Sequence, residues 1–301
     1  MSAPERVERD APAKVNLCLA VDRPNDAGMH PIASWMATLD FADRIEVHRR
    51  PPGRASLYNI DWAEDAPRRT HIDWPIVKDL AVRAHLALER EVGQALPVRM
   101  RVHKRVPVGS GLGGGSSDGA AALMAIRDLF ELEIDDARLA QLAHALGSDV
   151  PFFLTGGAAL VEGLGERIER TPAPTMGGEA GAVVLAMPAA HCPTGAVYRG
   201  FDEMVGEADF RAAEAARMAR AGEIEPDALF NDLADPAMRV EDRVRAARNA
   251  LAEATGRPAH VTGSGSAVFI ACAASEAEAL GERAASIEGC AVVAARLVTP
   301  E

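Results

Sequence analysis

Pro107-Val108-Gly109-Ser110-Gly111-Leu112-Gly113-Gly114-Gly115-Ser116-Ser117-Asp118 decides how this chain is read. Five glycines and three hydroxyl side chains stand directly before a segment of helical composition. Such a loop can wrap an anion with backbone N–H groups and aim a helix N-terminus at it. A phosphate ligand is therefore the first expectation.

Three phosphate-binding patterns compete for the stretch. A Walker A loop ends in Gly-Lys-Ser/Thr, and the sequence has no Gly-Lys dipeptide. The protein-kinase set needs His-Arg-Asp and Asp-Phe-Gly triplets, and neither occurs. The dinucleotide fingerprint G-x-G-x-x-G is nominally met by Gly109, Gly111 and Gly114, with Glu131 and Glu133 about 20 residues on. Against it, Pro107 interrupts the preceding strand, and the glycine run is longer than that pattern needs. A ligand-free glycine turn is the remaining alternative, disfavoured by the chain entropy that five glycines lose on folding.

Bulk properties narrow the class. The 301 residues suffice for two domains, and 48% hydrophobic content supports a substantial core. A net charge of −12 and 4% aromatic residues argue against a nucleic-acid polymer as partner. No apolar run approaches the ~20 residues of a membrane span. Residues 1–10 lack a signal-peptide core and read as a disordered leader. Cys18, Cys192, Cys272 and Cys290 form no CxxC pair and read as reduced, mostly buried thiols. A cytoplasmic protein is the expectation. His71, His85, His144 and His260 show no metal-ligand spacing, so no protein ligand for a metal is assigned.

Periodicity supplies a mixed order of strands and helices. Val15, Leu17, Leu19 and Val21 alternate with Lys14, Asn16, Cys18 and Ala20, predicting a strand over 13–21. Strands are expected over 32–41, 43–48, 96–106, 150–161, 182–187 and 291–297, with a strand–turn–strand element over 261–272. Helices are expected over 75–92, 116–132, 136–146, 210–220, 240–254 and 275–287, with Gly147 stopping the third. Residues 51–71 read as loop or edge structure and 171–181 as a loop or linker. The absence of strict βαβ alternation indicates α+β. On strand 96–106, Val98, Met100, Val102, Lys104 and Val106 share one face, while Arg99, Arg101, His103 and Arg105 share the other. Lys104 is then a lone charge on an apolar face. It either snorkels out at the strand end or points into the pocket that the glycine loop roofs.

The motif at 107–123 resembles the central motif of the GHMP small-molecule kinases. Ala11-Pro12-Ala13-Lys14-Val15-Asn16-Leu17 is similar to their N-terminal motif, and Val261-Thr262-Gly263-Ser264-Gly265-Ser266-Ala267-Val268-Phe269 to their third, glycine-rich motif. Within that superfamily the finer resemblance is to the kinases of 4-diphosphocytidyl-2-C-methyl-D-erythritol. It is carried by PAKVNL at 12–17, GLGGGSSD at 111–118, LGSDVPFFLTGGAALVEGLGE at 146–166 and Asn231-Asp232-Leu233. The resemblance implies an α+β, two-domain fold: a ribosomal protein S5 domain 2-like ATP-binding domain over 11–165 and a ferredoxin-like GHMP domain over 166–301, with the active site in the cleft.

It also implies ATP and Mg²⁺ as cofactors and a cytidine diphosphate-linked methylerythritol as substrate, phosphorylated on its 2-hydroxyl for isoprenoid precursor synthesis. The chain would act without membrane or nucleic-acid partners, as a monomer or homodimer. Alternatives are a GHMP kinase for another small alcohol and, more remotely, a dinucleotide-binding protein. By the same resemblance, Pro107, Val108, Gly109, Ser110, Gly111, Leu112, Gly113, Gly114, Gly115, Ser116 and Ser117 bind ATP. Lys14 and Asp149 are catalytic: Asp149 accepts the hydroxyl proton and Lys14 stabilises developing charge. Asn16, His30, Tyr198, Gly263 and Ser264 bind substrate, with Lys104 and Met29 as further candidates. Met29 stands where the family usually has an aromatic residue beside the cytosine, and Asp79 where an Asn is common.

Overall fold

The computed structural model describes residues 4–204 and 209–298. The chain divides into two compact units that interleave along the sequence. One takes the chain up to Ala13, Ala42–Val108 and Gly113–Thr155; the other takes Lys14–Phe41, Gly109–Leu112 and the chain from Gly156 on. This differs from the expected division at 165/166. Residues 1–3, 205–208 and 299–301 of the expected domains lie outside the described residues.

Two long strands thread both units, β1 (Arg6–Val21) and β2 (Ile32–Arg49). Of the expected leader, Arg6–Asp10 is therefore strand. The expected strands 32–41 and 43–48 are one, because Ala42 and Asp43 stay extended rather than turning.

In the first unit, β3 (Leu57–Trp62) is followed by a short 3-10 turn and α1 (Leu80–Val92). Then come β4 (Val98–Lys104), α2 (Gly114–Phe130), α3 (Asp136–Leu146) and α4 (Val150–Thr155). β4 pairs antiparallel with Arg44–Arg49 of β2 and parallel with β3, so the 51–71 segment contributes an edge strand. Asp79 caps α1 by accepting from the Ala81 N–H at 2.9 Å, worth about 1 kcal/mol. α2 buries Ala120, Ala121, Ala122, Leu123, Ala125, Ile126 and Leu129 and packs on α1, α3 and α4. Small residues make this close approach possible: a Cβ on Gly119 would lie 3.3 Å from Leu80.

Expectation fails at 150–161. Val150–Thr155 is helical and only Ala158–Gly163 is strand. The apolar run Val150-Pro151-Phe152-Phe153 suits either element by composition. Pro at the second position favours a helix's first turn, where its missing N–H costs nothing.

In the second unit, Ile32–Ala37 of β2 pairs antiparallel with β5 (Ala158–Gly163), which pairs with β6 (Arg167–Arg170). A second antiparallel sheet follows. The short β7 (Thr175–Met176) and β8 (Glu179–Pro188) form a hairpin inside the expected 171–181 loop. Helices α5 (Thr194–Met204), α6 (Ala212–Ala221), α7 (Ala234–Val240) and α8 (Asp242–Thr255) come next. The chain finishes with β9 (His260–Val261), β10 (Val268–Ala273), α9 (Ala277–Ala284) and β11 (Cys290–Arg296). Strand order is β11-β8-β10-β9. α8 and α9 cover one face, where Val184, Ala186, Val268 and Ile270 meet Val244, Leu251 and Leu280 in one buried core. α5 and α7 were not expected from sequence. Among the described residues no helix is long and apolar enough to cross a membrane.

Candidate active site

The geometry is built from residue 14 outward. Lys14 and Asn16 point the same way from β1, as strand alternation requires, and both are buried, at 3% and 2% exposure. Lys14 Nζ donates to Asn16 Oδ1 at 2.6 Å and to the Gly111 carbonyl at 2.8 Å. Its own backbone N–H donates to the Leu112 carbonyl at 2.9 Å. Asn16 is oriented in turn: its Nδ2 donates to Ser34 Oγ at 2.8 Å, and Ser34 donates to the Cys18 carbonyl at 2.7 Å. The Asn16 N–H donates to Thr262 Oγ1 at 3.0 Å.

The third glycine turn closes the group. Gly263 has φ +56°, and a Cβ there would lie 3.1 Å from the Gly111 carbonyl and 3.2 Å from Lys14 Nζ. A Cβ on Gly111, at φ +80°, would meet the Thr262 carbonyl at 2.4 Å. The Ala267 N–H donates to the Ser110 carbonyl at 2.8 Å. Asn231 Nδ2 holds the turn from behind through the Val261 and Gly263 carbonyls, both at 2.8 Å. Segments around positions 16, 111 and 263 thus converge in one unit; a Cβ would clash with backbone outright at 111, and at 263 it would be tight and set on a left-handed φ that favours glycine. Ser264 Oγ lies 3.1 Å from Thr194 Oγ1 at the start of α5.

The remainder of the 107–118 loop opens α2 in the other unit. Gly113, at φ 74°, is the N-cap and provides no side-chain cap, leaving first-turn N–H groups for another acceptor. Ser117, 1% exposed, keeps a buried Oγ with no partner. The last turn of β4 is fixed from below. Asp43 Oδ1 accepts the Val106 N–H at 2.7 Å and also the Arg105 N–H. Lys104 Nζ donates to Asp43 and, at 2.6 Å, to Asp118 Oδ2. Burial pushes the Asp118 carboxyl well above its ordinary range, against the pull of Lys104. The snorkelling alternative for Lys104 is overturned: it is 3% exposed and held by two carboxylates. Asp118, past the first turn of α2, is one of those two partners. Asp149 follows Gly147 in a turn closed by Val150 N–H to Gly147 carbonyl at 3.1 Å, directly before α4. Gly147 stops α3 with φ 173°, extended rather than left-handed.

His30 and Tyr198 meet in the second unit. Their rings are 4.8 Å apart and tilted, and Phe201 meets His30 edge-on at 5.9 Å. His30 Nε2 lies 2.8 Å from Asp202 Oδ1. Met29, half exposed, makes no ring contact of this kind among the described residues.

Comparison with known proteins shows the family to which the chain belongs. Residues 79–157 match the family described as GHMP kinases N terminal domain. The 4-diphosphocytidyl-2-C-methyl-D-erythritol kinase of Anaeromyxobacter dehalogenans is 37% identical over 262 residues, 86% of this chain and 78% of that protein. The enzyme of the same name from Caulobacter vibrioides is 37% identical over 292 residues, 92% of this chain and 94% of that one. A crystal structure of 4-(cytidine 5'-diphospho)-2C-methyl-D-erythritol kinase is 32% identical at TM-score 0.73, covering 96% of this chain and 99% of that chain. The chain belongs to the 4-diphosphocytidyl-2-C-methyl-D-erythritol kinase family. It is a small-molecule kinase of the GHMP group. The L. major mevalonate kinase structure, at 14% identity and TM-score 0.71, shares the fold.

Sequence reading named Lys14, Asn16, Gly111 and Gly263, which the structure brings together in one unit. It missed Ser34, Thr262 and Asp202, which orient the residues it named. Ser34 acts only through hydrogen bonds between distant segments and leaves no sequence pattern, whereas Thr262 stands inside the third glycine-rich motif. Asp202 had a signal: Tyr198, Phe201 and Asp202 stand at i, i+3 and i+4, one face of a helix.

Proposed function

We propose that this kinase transfers the γ-phosphoryl group of ATP to the 2-hydroxyl of 4-diphosphocytidyl-2-C-methyl-D-erythritol, releasing ADP, in the cytoplasm. The names of its relatives support the acceptor. The observation that carries the reading is the convergence of Lys14, Asn16, Gly111 and Gly263, a buried cation held among fixed dipoles. Phosphoryl transfer asks chiefly for positioning and charge neutralisation. The open first turn of α2 and the unpartnered Ser117 Oγ fit a bound triphosphate. Residues 107–117 would hold it there. Mg²⁺ bound with ATP would neutralise phosphate charge, and the Ser117 hydroxyl is the buried oxygen suited to it.

Asp149 accepts the proton of the acceptor hydroxyl as the P–O bond forms, and orients that oxygen. Lys14 stabilises the negative charge gathering on the transferred group. Asn16, held by Ser34, orients substrate. His30 and Tyr198 bind the cytosine.

The test is ADP release by purified protein with ATP, Mg²⁺ and the cytidine substrate. Asp149→Asn and Lys14→Ala should each lower kcat by about 100-fold or more while ATP affinity stays within a few-fold. No ADP above background, with a known enzyme active in parallel, sinks the substrate. Near-normal turnover in either variant sinks its role. Half-exposed Met29 favours checking a panel of mevalonate-type, sugar and homoserine acceptors alongside.

A further inference from the structure

α5 grips His30 from one face. Tyr198, Phe201 and Asp202 occupy successive positions of an i, i+3, i+4 stripe, and each touches the imidazole differently. Tyr198 and Phe201 fix the ring plane, and Asp202 takes Nε2 at 2.8 Å. The His30 side chain is 9% exposed, that of Asp202 41%. Among the described residues no hydrogen bond reaches the other ring nitrogen, Nδ1. The helix is itself anchored at its start, where Thr194 meets Ser264 of the third glycine turn.

A neutral imidazole has one N–H and one bare nitrogen, and the partner of one decides the state of the other. A carboxylate oxygen only accepts. Nε2 therefore carries the proton, and Nδ1 is left as an acceptor. An acceptor can take an N–H from a base's exocyclic amino group but has nothing to offer a carbonyl oxygen. Two acceptors facing each other leave both unsatisfied, which discriminates more sharply than a missing methylene would.

We propose that Asp202 is a positioning residue that locks His30 as the Nε2–H tautomer, presenting Nδ1 to the exocyclic amino group of the substrate's base and so selecting cytosine over uracil. This rests on the cytidine substrate argued above. Asp202 does not touch substrate; it acts through His30.

Asp202→Ala should raise KM for the cytidine-linked substrate about ten-fold and leave kcat within about two-fold, because the contact lies far from the reacting hydroxyl. Preference for the cytidine-linked over the uridine-linked substrate should fall by the same factor. Asp202→Glu should restore most of both. A ¹⁵N spectrum of the free wild-type protein at neutral pH should show His30 protonated at Nε2, and Asp202→Ala should show both tautomers. A wild-type spectrum with the proton on Nδ1 overturns the proposal whether or not Asp202→Ala folds normally. Unchanged KM and unchanged base preference in a folded Asp202→Ala also overturn it. Failure of the wild type to turn over the cytidine substrate is a separate result: it removes the function reading, and with it the group assigned to Nδ1.

Discussion

Lys104 shows how one residue can be read correctly in position and wrongly in environment. Strand alternation puts it on the apolar face of β4, and it is there, with Val98, Met100 and Val102. What alternation cannot supply is its partners, Asp43 and Asp118, 61 and 14 residues away. One ammonium between two buried carboxylates leaves an excess negative charge unless one carboxyl holds a proton. Burial pushes the Asp118 carboxyl well above its ordinary range, against the pull of Lys104, while Asp43 also pairs with the same ammonium. The two acids then differ in their response to substitution. Asp118→Asn keeps the side chain's shape and removes the excess charge, and should cost about 1 kcal/mol or less. Asp43→Asn removes the charge opposite Lys104 and disturbs the Arg105 and Val106 N–H bonds, for about 3–5 kcal/mol. Urea denaturation midpoints separate them, and equal losses would mean that Lys104 needs both charges.

Among elements, legibility followed how local the signal was. β1, α3, β8 and β11 announce themselves by period and punctuation, and α3 ends where Gly147 predicts. α4 reads equally as strand because its five apolar residues, Val150–Leu154, carry no period. α5 was missed because Thr194–Met204 mixes Gly, Tyr, Arg and Phe, and its stripe makes sense only once His30 stands against it. The glycine loop was legible as a phosphate cradle, yet why each glycine is needed was not. Gly111 sits at φ +80° with the Thr262 carbonyl where a Cβ would go, whereas Gly115 lies in α2 with Leu80 at an ordinary 3.9 Å. Gly111→Ala should therefore lower both stability and turnover, the strained φ alone costing about 1–2 kcal/mol. Gly115→Ala should raise stability by about 0.4–1 kcal/mol. Thermal melts and ADP assays on both proteins check this. A tolerated Gly111→Ala would mean the 111–262 approach is looser than drawn.

At the scale of the whole molecule, acid is the condition to which this fold is vulnerable, through a buried neutral histidine in one unit and a half-buried one in the other. In the first, His85 Nε2 donates to the Leu96 carbonyl at 2.8 Å, so its neutral ring must accept from the Tyr58 hydroxyl at Nδ1, also at 2.8 Å. Burial pushes its pKa down, against the pull of the Leu96 bond and Glu89. In the second, burial, aided by the nearby Arg248 guanidinium, lowers His260 to about 4. Both groups bind a proton more readily unfolded than folded, so their contribution is whole above the unfolded pKa of about 6.5. It is lost as pH falls through the interval down to about 4 for His260. Over that interval His260 alone accounts for roughly 2–3 kcal/mol. Denaturant-derived stability should fall between pH 7 and 4.5, and His260→Gln should flatten that slope even if it lowers the pH 7 value. His85→Gln should do the same through the other unit. If the wild-type and His260→Gln curves run parallel across this window, His260 already carries its proton in the folded state and its neutral burial is wrong.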